Sequence, residues 1–300
     1  MPTQMNRCGR LVVDGDDIMR KSLTFTYFRS KISMHTLHLI LVGIAIGIGS
    51  TNLFQENWNW LTTNSPTWAL LIFVPWLLHQ IIYWVVCGAY HYVDVHNKPA
   101  FIAKYRIQRG KHKRPSVKKT LKVLAWNQLL WAPFMLIVMT SLLYLRDWNG
   151  IELPTISQLL TELFLLGLSS EVIFYATHRF LHRPWWMVRV HKLHHEYRST
   201  TAMSSEYAHP VEFCIGNFGT LAGGIVLFSP SLATIYLFTV LAILTILVHH
   251  GGYAIPWAPW SLPHDWHHFR YKEIFGSSGL LDRVLGTDVE FQKLKNKEEA

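Results

Sequence analysis

The most regular feature of the chain is a series of long apolar stretches separated by short polar ones. A helix needs about 20 apolar residues with few charges to cross the hydrocarbon core of a bilayer. Four stretches in the first part of the chain approach or reach that length: residues 37–54, 68–90, 123–145 and 156–176. The pattern predicts an all-α, polytopic membrane protein with about four transmembrane helices.

A fifth apolar stretch, 218–248, is longer than the others and is interrupted by the sequence FSPS at 228–231. Histidines lie both before and after it. If these histidines share one site, the chain must return to the side on which it started. Pro230, near the middle, favours a break in the helix because proline cannot donate a backbone hydrogen bond. The stretch is therefore predicted to be a re-entrant helical hairpin.

Basic residues indicate how the helices are oriented. The chain has 28 Lys and Arg against 19 Asp and Glu, a formal net charge of +9. The excess is concentrated in the N-terminal tail and in the connection 91–122, whereas the connections 55–66 and 146–155 are nearly neutral. Positive charge accumulates in cytoplasmic connections, so the tail and the basic connection are predicted to be cytoplasmic. The fourth helix then delivers the chain to the cytoplasm at His178.

These features divide the chain into four parts. They are a cytoplasmic tail, the four transmembrane helices, a cytoplasmic helical cap that contains the histidine-rich catalytic region, and a solvated tail: 1–36, 37–177, 178–290 and 291–300. The basic residues are not interleaved with base-stacking aromatic residues, which argues against nucleic-acid binding. The three cysteines lie far apart without a Cys-x-x-Cys pair, so neither a disulfide framework nor a thiolate zinc site is expected.

The candidate chemistry lies in the histidines, of which the chain has 17. Three motifs group them: HRFLH at 178–182, HKLHH at 191–195 and HDWHH at 264–268. Offsets of three and four residues place side chains on one face of a helix, and neutral imidazole binds iron, zinc and copper. Eight rings exceed the need of one tetrahedral zinc ion, so a site for two metals is predicted. The predicted ligands from these motifs are His178, His182, His191, His194, His195, His264, His267 and His268.

Two further segments offer histidines. The sequence EYAHP contains His209, and VHHGGY contains His249 and His250. Adjacent side chains on a helix point about 100° apart, so only one of the latter pair is expected to face the metals. The other histidines lack a paired spacing and are expected to be core or interface residues. They are His35, His38, His79, His91, His96 and His112.

Residues that support the ligands are also predicted. Glu171 lies in the fourth apolar stretch, on one stripe with Tyr175, His178 and His182. A carboxylate there can accept a ring N–H and fix the orientation of a ligating histidine. The alternative is an interfacial acid that faces lipid headgroups. Asp265, inside the third motif, is a further candidate for supporting a ligand.

The three motifs resemble those of the fatty acid hydroxylase/sterol desaturase superfamily, which has one HxxxH motif followed by two HxxHH motifs. Further sequences occur in that family's order, and the resemblance covers about 104–288, with the hydroxylase domain at about 165–290. They are KYRIQ, NQ at 127–128, EYAHPVE, GYAIP and LDRVLGTD. The resemblance implies two non-haem iron ions, O2 as co-substrate, and electrons from NAD(P)H through a reductase and cytochrome b5. It implies that the eight motif histidines are ligands, aligns His250 and His209 with family histidines, and leaves His249 without a counterpart.

The resemblance also implies the substrate class. The pair HHEY and EYAHP resembles the sterol-acting branch, which includes C-4 methylsterol oxidases and cholesterol 25-hydroxylases. The third motif, LPHDWHH, resembles fatty acid hydroxylase domain-containing proteins instead, because Pro263 replaces the first histidine of the HHDxHH found in methylsterol oxidases. The expected reaction is hydroxylation or desaturation of a lipid, with a sterol as first choice and a fatty acyl or sphingoid chain as second. The family's usual location is the endoplasmic reticulum, and no haem-binding HPGG is seen, so the electron donor is expected to be a separate protein.

Proteins of other classes fit the sequence less well. A zinc-dependent membrane hydrolase needs fewer ligands and a carboxylate base, for which only Asp265, Glu196 and Glu206 lie near the motifs. A metal transporter would place polar ligands along the spanning segments, where only His79 lies mid-segment. A bis-histidine haem protein needs single histidines on facing helices. A catalytically inactive lipid-binding relative remains as the non-enzyme alternative, although the complete motifs argue against it.

Overall fold

The protein is built from helices. The computed structural model describes residues 34–108, 114–255 and 260–299, so most of the predicted tail 1–36 lies outside the described residues. Within the described part, strand-like pairing is limited to one antiparallel bridge between Arg106 and Tyr253. The predicted all-α class is confirmed. The main helices are α1 (Met34–Gly49), α2 (Asn52–Asn64), α3 (Thr67–His96), α4 (Val117–Tyr144), α5 (Ile156–Leu181), α6 (Pro210–Phe228), α7 (Leu232–His249), α8 (Ser261–Arg270), α9 (Leu280–Leu285) and α10 (Val289–Glu299).

Short polar side chains start several of these helices. Thr51, Ser116, Thr155 and Ser231 each lie directly before a helix and accept a hydrogen bond from the backbone N–H three residues later. Such caps satisfy N–H groups that the helix itself leaves without a partner. The polar residues between the apolar stretches therefore define where α2, α4, α5 and α7 begin.

Among the described residues, five helices are long and apolar enough to cross a bilayer, namely α3, α4, α5, α6 and α7, and the bent pair α1–α2 would make a sixth if it counts as one span. Their outer faces expose large apolar side chains, including Phe164 and Leu168 on α5. In water such a surface would be unfavourable, whereas it suits contact with lipid. The chain is therefore a multi-pass membrane protein, as predicted.

The first predicted span, 37–54, is not one helix. It breaks at Ser50 and Thr51, where Thr51 caps α2, and α1 and α2 meet at an angle of 82°. The connection 55–66 is helical over most of its length. Trp58 of α2 packs in the core and donates to the carbonyl of Ile151, so α2 lies across the bundle end that contains the α4–α5 connection.

The predicted hairpin does reverse the chain at 229–231. Ser229 ends α6 in the left-handed conformation, and Ser231 caps α7. The turn lies against the α4–α5 connection, where Trp148 donates to the carbonyl of Pro230 and Leu232 N–H donates to that of Gly150. The hairpin therefore extends through the whole bundle. Its helices begin at Pro210 rather than at 218, and both are long and apolar enough to span a bilayer. The re-entrant form of the hairpin stays a prediction.

The two ends of the bundle differ in chemistry. The end with the α4–α5 connection contains the largest apolar core, with Leu71, Leu143, Leu166 and Ile225 fully buried. The opposite end contains the histidine motifs and the described part of the basic connection 91–122. Lys119, at the end of that connection, pairs there with Glu196 at 2.7 Å.

Candidate metal centre

Nine histidine side chains converge at one end of the bundle. They form two neighbouring groups, and within each group one nitrogen per ring lies within 4.8 Å of those of the other members. The five-histidine group consists of His178, His182, His191, His195 and His267. The four-histidine group consists of His194, His250, His264 and His268. The structure thus brings together nine of the ten residues expected to bind metal.

The HxxHH motifs are divided between the groups. On a helix, residues three and four positions after a given residue lie on its two sides, about 60° and 40° away, so the two can face different neighbours. His191 and His195 accordingly enter the five-histidine group, and His194 enters the other. His264 and His268 enter the four-histidine group, whereas His267 enters the first. Each motif therefore contributes to both groups and holds them side by side.

Ring nitrogens within each group approach one another closely. In the five-histidine group, Nε2 of His191 lies 2.9 Å from that of His182 and 3.0 Å from that of His195. In the four-histidine group, Nε2 of His264 lies 2.9 Å from that of His250 and 3.1 Å from that of His268.

The other ring nitrogen, Nδ1, is mostly held by a backbone carbonyl. His178 donates to Phe275 O at 2.8 Å and His267 to Glu273 O at 2.6 Å. His268, His250 and His194 likewise contact the carbonyls of Tyr197, Ile246 and Tyr207 at 2.9, 2.8 and 3.3 Å. A carbonyl can only accept, so the proton is on Nδ1 and a lone pair is left on Nε2.

The Nε2 lone pairs face one another, and this arrangement requires a cation between them. Lone pairs that face one another at hydrogen-bond distance repel unless a proton or a metal ion lies between them. Burial lowers the pKa of His191 to about 3 and, with neighbouring imidazoles, that of His194 to about 4, so both rings are neutral near pH 7. Among the described residues, the buried Nε2 of His267 also has no hydrogen-bond partner. The donor set therefore fits metal ions bound through Nε2 in both groups.

Glu212 is a supporting residue that the motif analysis missed. Its Oε1 lies 2.9 Å from Nδ1 of His191, and both side chains are buried, although the N–H does not point squarely at this oxygen. A carboxylate at this position orients the ring and raises its basicity toward a metal. The sequence does contain a signal for this residue. Glu212 is an acidic residue at the start of an apolar helix, just as Glu171 is an acidic residue inside one.

Glu171 supports a histidine through a loop, whereas direct contact with an imidazole was expected. Its Oε2 accepts hydrogen bonds from Ser277 Oγ at 2.8 Å and from Ser278 N at 2.9 Å. It therefore fastens the loop whose Phe275 carbonyl holds His178, and it does not accept from an imidazole itself. Tyr175 is similar, since its hydroxyl lies 3.2 Å from Thr287 Oγ1.

Asp265 fastens α8 to its surroundings. It is fully buried and accepts from Gln108 Nε2 at 2.8 Å and from Thr200 Oγ1 at 2.7 Å. Burial raises its pKa, an effect that these hydrogen bonds oppose. The contact with Gln108 explains the motif KYRIQ, which lies far from the histidine motifs in sequence. Asp265 thus positions the helix that carries His264 and His268.

Two histidines of the nearby segments lie outside both groups. His209 accepts a hydrogen bond from Val211 N at 3.2 Å and so caps the start of α6, and the expectation that it binds metal finds no support in the described structure. A proline at the next position places this residue before the helix, where capping is favoured. Of the adjacent pair, His250 enters the four-histidine group and His249 does not.

A second polar cluster holds one of the carbonyls in place. His79 Nε2 lies 2.6 Å from Glu206 Oε1, and Gln128 Nε2 donates to Glu206 Oε2 at 2.7 Å. Asn127 donates to the carbonyls of Glu206 and Ala208. These contacts fix the loop that presents Tyr207 O to His194. They explain why the sequence NQ lies buried within α4.

The fold and this site define a membrane-embedded protein with a histidine-rich centre that could hold metal. Comparison with known proteins agrees: the fatty acid hydroxylase family model matches residues 163–287. Human fatty acid hydroxylase domain-containing protein 2 is 32% identical, covering 82% of this chain and 76% of its own. The fatty acid hydroxylase ahd1 of Mycosarcoma maydis is 29% identical, covering 90% of this chain and 71% of its own. Methylsterol monooxygenase 2-2 of Arabidopsis thaliana is 27% identical, covering 82% and 96%.

The chain belongs to the fatty acid hydroxylase family. This membership indicates an oxidoreductase and confirms the resemblance drawn from the motifs. No solved structure matches the chain.

Proposed function

We propose that the protein is a membrane-bound non-haem di-iron oxidase that hydroxylates, or otherwise oxidises, a C–H bond of a lipid. The observation that carries the proposal is the pair of adjacent all-histidine groups whose Nε2 lone pairs converge. A sterol is the first choice of substrate, which the similarity to a methylsterol monooxygenase supports. A fatty acyl or sphingolipid chain is the second choice, which the similarity to a fatty acid hydroxylase supports.

The donor set favours one metal ion in each group. Imidazole suits iron, zinc and copper alike, so the choice of iron rests on the redox activity of the family. Two bound iron ions would supply the reduction of O2 and the oxidation of the C–H bond, with electrons from NAD(P)H through a reductase and cytochrome b5.

The side chains around the groups perform the tasks that remain for the protein. The carbonyls hold five of the nine rings in the tautomer that points Nε2 inward, and Glu212 lies beside Nδ1 of a sixth, His191. Burial keeps the imidazoles neutral and excludes water from the centre. Phe275 packs against His182 and His267, with ring centroids 5.1 and 5.7 Å apart, and forms an apolar wall beside the five-histidine group. An apolar wall suits a lipid that approaches the metals.

The proposed orientation follows from the charges. The basic connection lies at the same end of the bundle as the histidine groups, so the metal centre would face the cytoplasm, with the endoplasmic reticulum as the expected membrane. Arg183, Arg189 and Arg198 lie near the histidine motifs and would attract either an acidic electron-transfer partner or anionic headgroups.

The structure favours an oxidase over a zinc-dependent hydrolase. A hydrolase needs a carboxylate that faces the metal-bound water. Among the described residues, both groups contain histidine alone, and Glu212 lies behind His191, on the nitrogen that points away from the other rings. The third possibility, a catalytically inactive lipid-binding relative, would not need two complete ligand sets.

The first test is the metal itself. The protein is expressed with ample iron, purified in mild detergent and analysed by mass spectrometry, with about two iron ions per chain expected. The double variant His194→Ala and His195→Ala, which removes one ligand from each group, is expected to lose metal and lipid product while still inserting into the membrane. The variant His209→Ala is the matched control and should keep both.

Other outcomes distinguish the alternatives. About two zinc ions per chain would confirm a two-metal site but not its chemistry, because zinc outcompetes ferrous iron for imidazole. Folded protein with little metal would favour the lipid-binding relative. Sterols and fatty acyl lipids, supplied separately with NADPH, reductase and cytochrome b5, then decide the substrate class.

A further inference from the structure

Helix α9 exposes an unusual amount of apolar surface for part of a predicted cytoplasmic cap. It has six residues, and Leu280, Val284 and Leu285 are 56%, 69% and 51% exposed. Val289, just beyond the helix, is exposed as well. A cluster of large apolar side chains on one short helix indicates a surface that is covered by something other than water.

Contacts with α5 show how deep this helix lies. The chain leaves the metal centre at Phe275, beside His178, and the backbone N–H groups of Ser278 and Leu281 then bond to Glu171. It returns at Thr287, beside Tyr175. The segment 275–287 therefore runs along α5 for about two turns, toward the opposite end of the bundle, and comes back.

The length of α5 gives the depth of Glu171 in a bilayer. Glu171 lies 15 residues after Ile156, where α5 begins, or about 22 Å along the helix at about 1.5 Å per residue. The hydrocarbon core is about 30 Å thick. Glu171 thus lies within the core even if α5 enters it at its first residue, and the start of α9 lies beside it.

Aromatic and basic side chains mark the membrane surface at the metal-centre end. Directly after α5, Trp185 is exposed, and the guanidinium of Arg189 lies 4.7 Å from the centre of its ring. Tryptophan and arginine are typical of the headgroup level. Glu171 precedes the end of α5 by 10 residues, which places it about 15 Å further into the membrane than Leu181.

Several polar groups at the two ends of α9 have partners within the protein, which a hydrocarbon environment favours. At its start, Ser278 Oγ accepts from Leu280 N and Glu171 accepts from Leu281 N. At its end, the carbonyl of Asp282 accepts from Thr287 N at 2.9 Å. The single exposed charge, Arg283, pairs with Asp288 at 3.0 Å. A helix whose ends are paired internally can lie in lipid, whereas an open end cannot.

We propose that α9 is a short helix inserted in the leaflet on the metal-centre side, with Leu280, Val284 and Leu285 in contact with acyl chains. The exposed apolar face of α9 then continues the lipid-facing surface of α5. The loop 275–279 becomes the wall between lipid and the five-histidine group, with Phe275 as its inner side. This last consequence rests on the proposed function, whereas the position of α9 does not.

The test measures the surroundings of α9 directly. Val284→Cys is made in the full chain with its other cysteines replaced by alanine, labelled with the fluorophore NBD and reconstituted in phosphatidylcholine vesicles. Emission at 284 is expected to shift to the blue, to be quenched by doxyl-labelled lipids and to resist quenching by aqueous iodide. Leu285→Cys provides a second site should the first variant fold poorly.

Two control positions give the fluorescence expected for a label in lipid and for a label in water. Phe164→Cys, on the exposed face of α5, reports a lipid-facing site. Glu290→Cys reports a site in water, since that side chain is 59% exposed and follows the point where the chain leaves α5. If the labels at 284 and 285 behave like that at 290, the proposal is wrong.

Metal analysis on the same samples separates this inference from the proposed function. Bound iron together with a water-exposed α9 would overturn the inference alone. A lipid-embedded α9 in protein that binds no metal would support the inference and overturn the function.

Discussion

The two histidine groups draw on the same three motifs, yet they are held in place by different means. In the four-histidine group every ring is buried, and the supports of His194, His250 and His268 are backbone carbonyls. In the five-histidine group, carbonyls of the described residues hold only His178 and His267, His182 is partly exposed, and the group beside Nδ1 of His191 is the side chain of Glu212. A substitution cannot remove a backbone carbonyl, whereas it can remove a side-chain carboxylate. The five-histidine group is therefore the more adjustable of the two, and it is the one beside the wall formed by Phe275.

The largest effect is expected from removing a ligand that lies outside the three motifs. His250→Ala should reduce the bound metal from about two ions to about one per chain and lower product formation by at least about 100-fold, since even supporting residues account for about 10–100-fold. The reason is the close approach of His250 to His264, at 2.9 Å. Metal analysis and product assays measure both effects.

His249 provides the matched control for this experiment. It is adjacent in sequence but lies outside both groups. His249→Ala should keep both metal ions. Equal metal loss in the two variants would show that the loss comes from disturbing the end of α7 and not from removing a ligand at His250.

A smaller and more selective effect is expected at Glu212. Glu212→Ala removes the partner of His191 and should weaken metal binding in the five-histidine group by about 10–100-fold, leaving the other group loaded. A chelator titration followed by metal analysis should then show one ion lost early and one retained. Glu212→Gln keeps an acceptor oxygen and should restore part of the affinity. Simultaneous loss of both ions would show that the groups do not bind independently.

The sequence allowed much of this site to be predicted, because histidine spacing is a local property of a helix. From the offsets of three and four residues we predicted that eight histidines lie close together, and the structure brings all eight together. The offsets did not reveal that each HxxHH motif is divided between two groups, since that depends on how α8 and the segment 191–195 pack together. The carbonyl supports carry no sequence signal at all, because every residue has a carbonyl.

The differences between prediction and structure have similar causes. His209 lies within a motif of the family, but the proline after it makes it a helix cap. Glu171 was expected to contact a histidine directly, whereas the N–H groups of the loop 275–281 occupy its oxygens. The bend between α1 and α2 depends on the cap at Thr51, which hydropathy alone does not register.

A weaker effect is expected from Glu171, which supports a ligand through a loop. Glu171→Gln exchanges an oxygen for an NH2 group that faces the N–H groups of Ser277 and Ser278. The loop should loosen, and product formation should fall by about 10-fold, at the lower limit for a supporting contact. The assay should compare kcat with KM, because a displaced wall at Phe275 would affect lipid binding as well.

An acid elsewhere on α5 serves as the control. Glu162 caps α7 at the opposite end of the bundle through Ser231 and Thr234. Glu162→Gln should lower stability without changing the metal content or the ratio of kcat to KM. If Glu162→Gln lowered product formation as much as Glu171→Gln does, the effect of Glu171→Gln would be a general loss of stability and not a loosening of the loop.

The smallest effect is expected from Lys119, although it too contacts a residue of the histidine motif region. Its ammonium lies 2.7 Å from Glu196, next to His195, but the side chains of Lys119 and Glu196 are 49% and 35% exposed. Exposed ion pairs contribute about 0–1 kcal/mol because water and salt screen them. Lys119→Ala should therefore leave metal content and product unchanged, with a thermal stability close to that of the parent. Tyr207 also donates to Glu196 and would keep that carboxylate in place. Loss of metal in Lys119→Ala would mean that exposed contacts contribute as much to metal binding as buried contacts do. Burial could then not explain the difference between the two histidine groups.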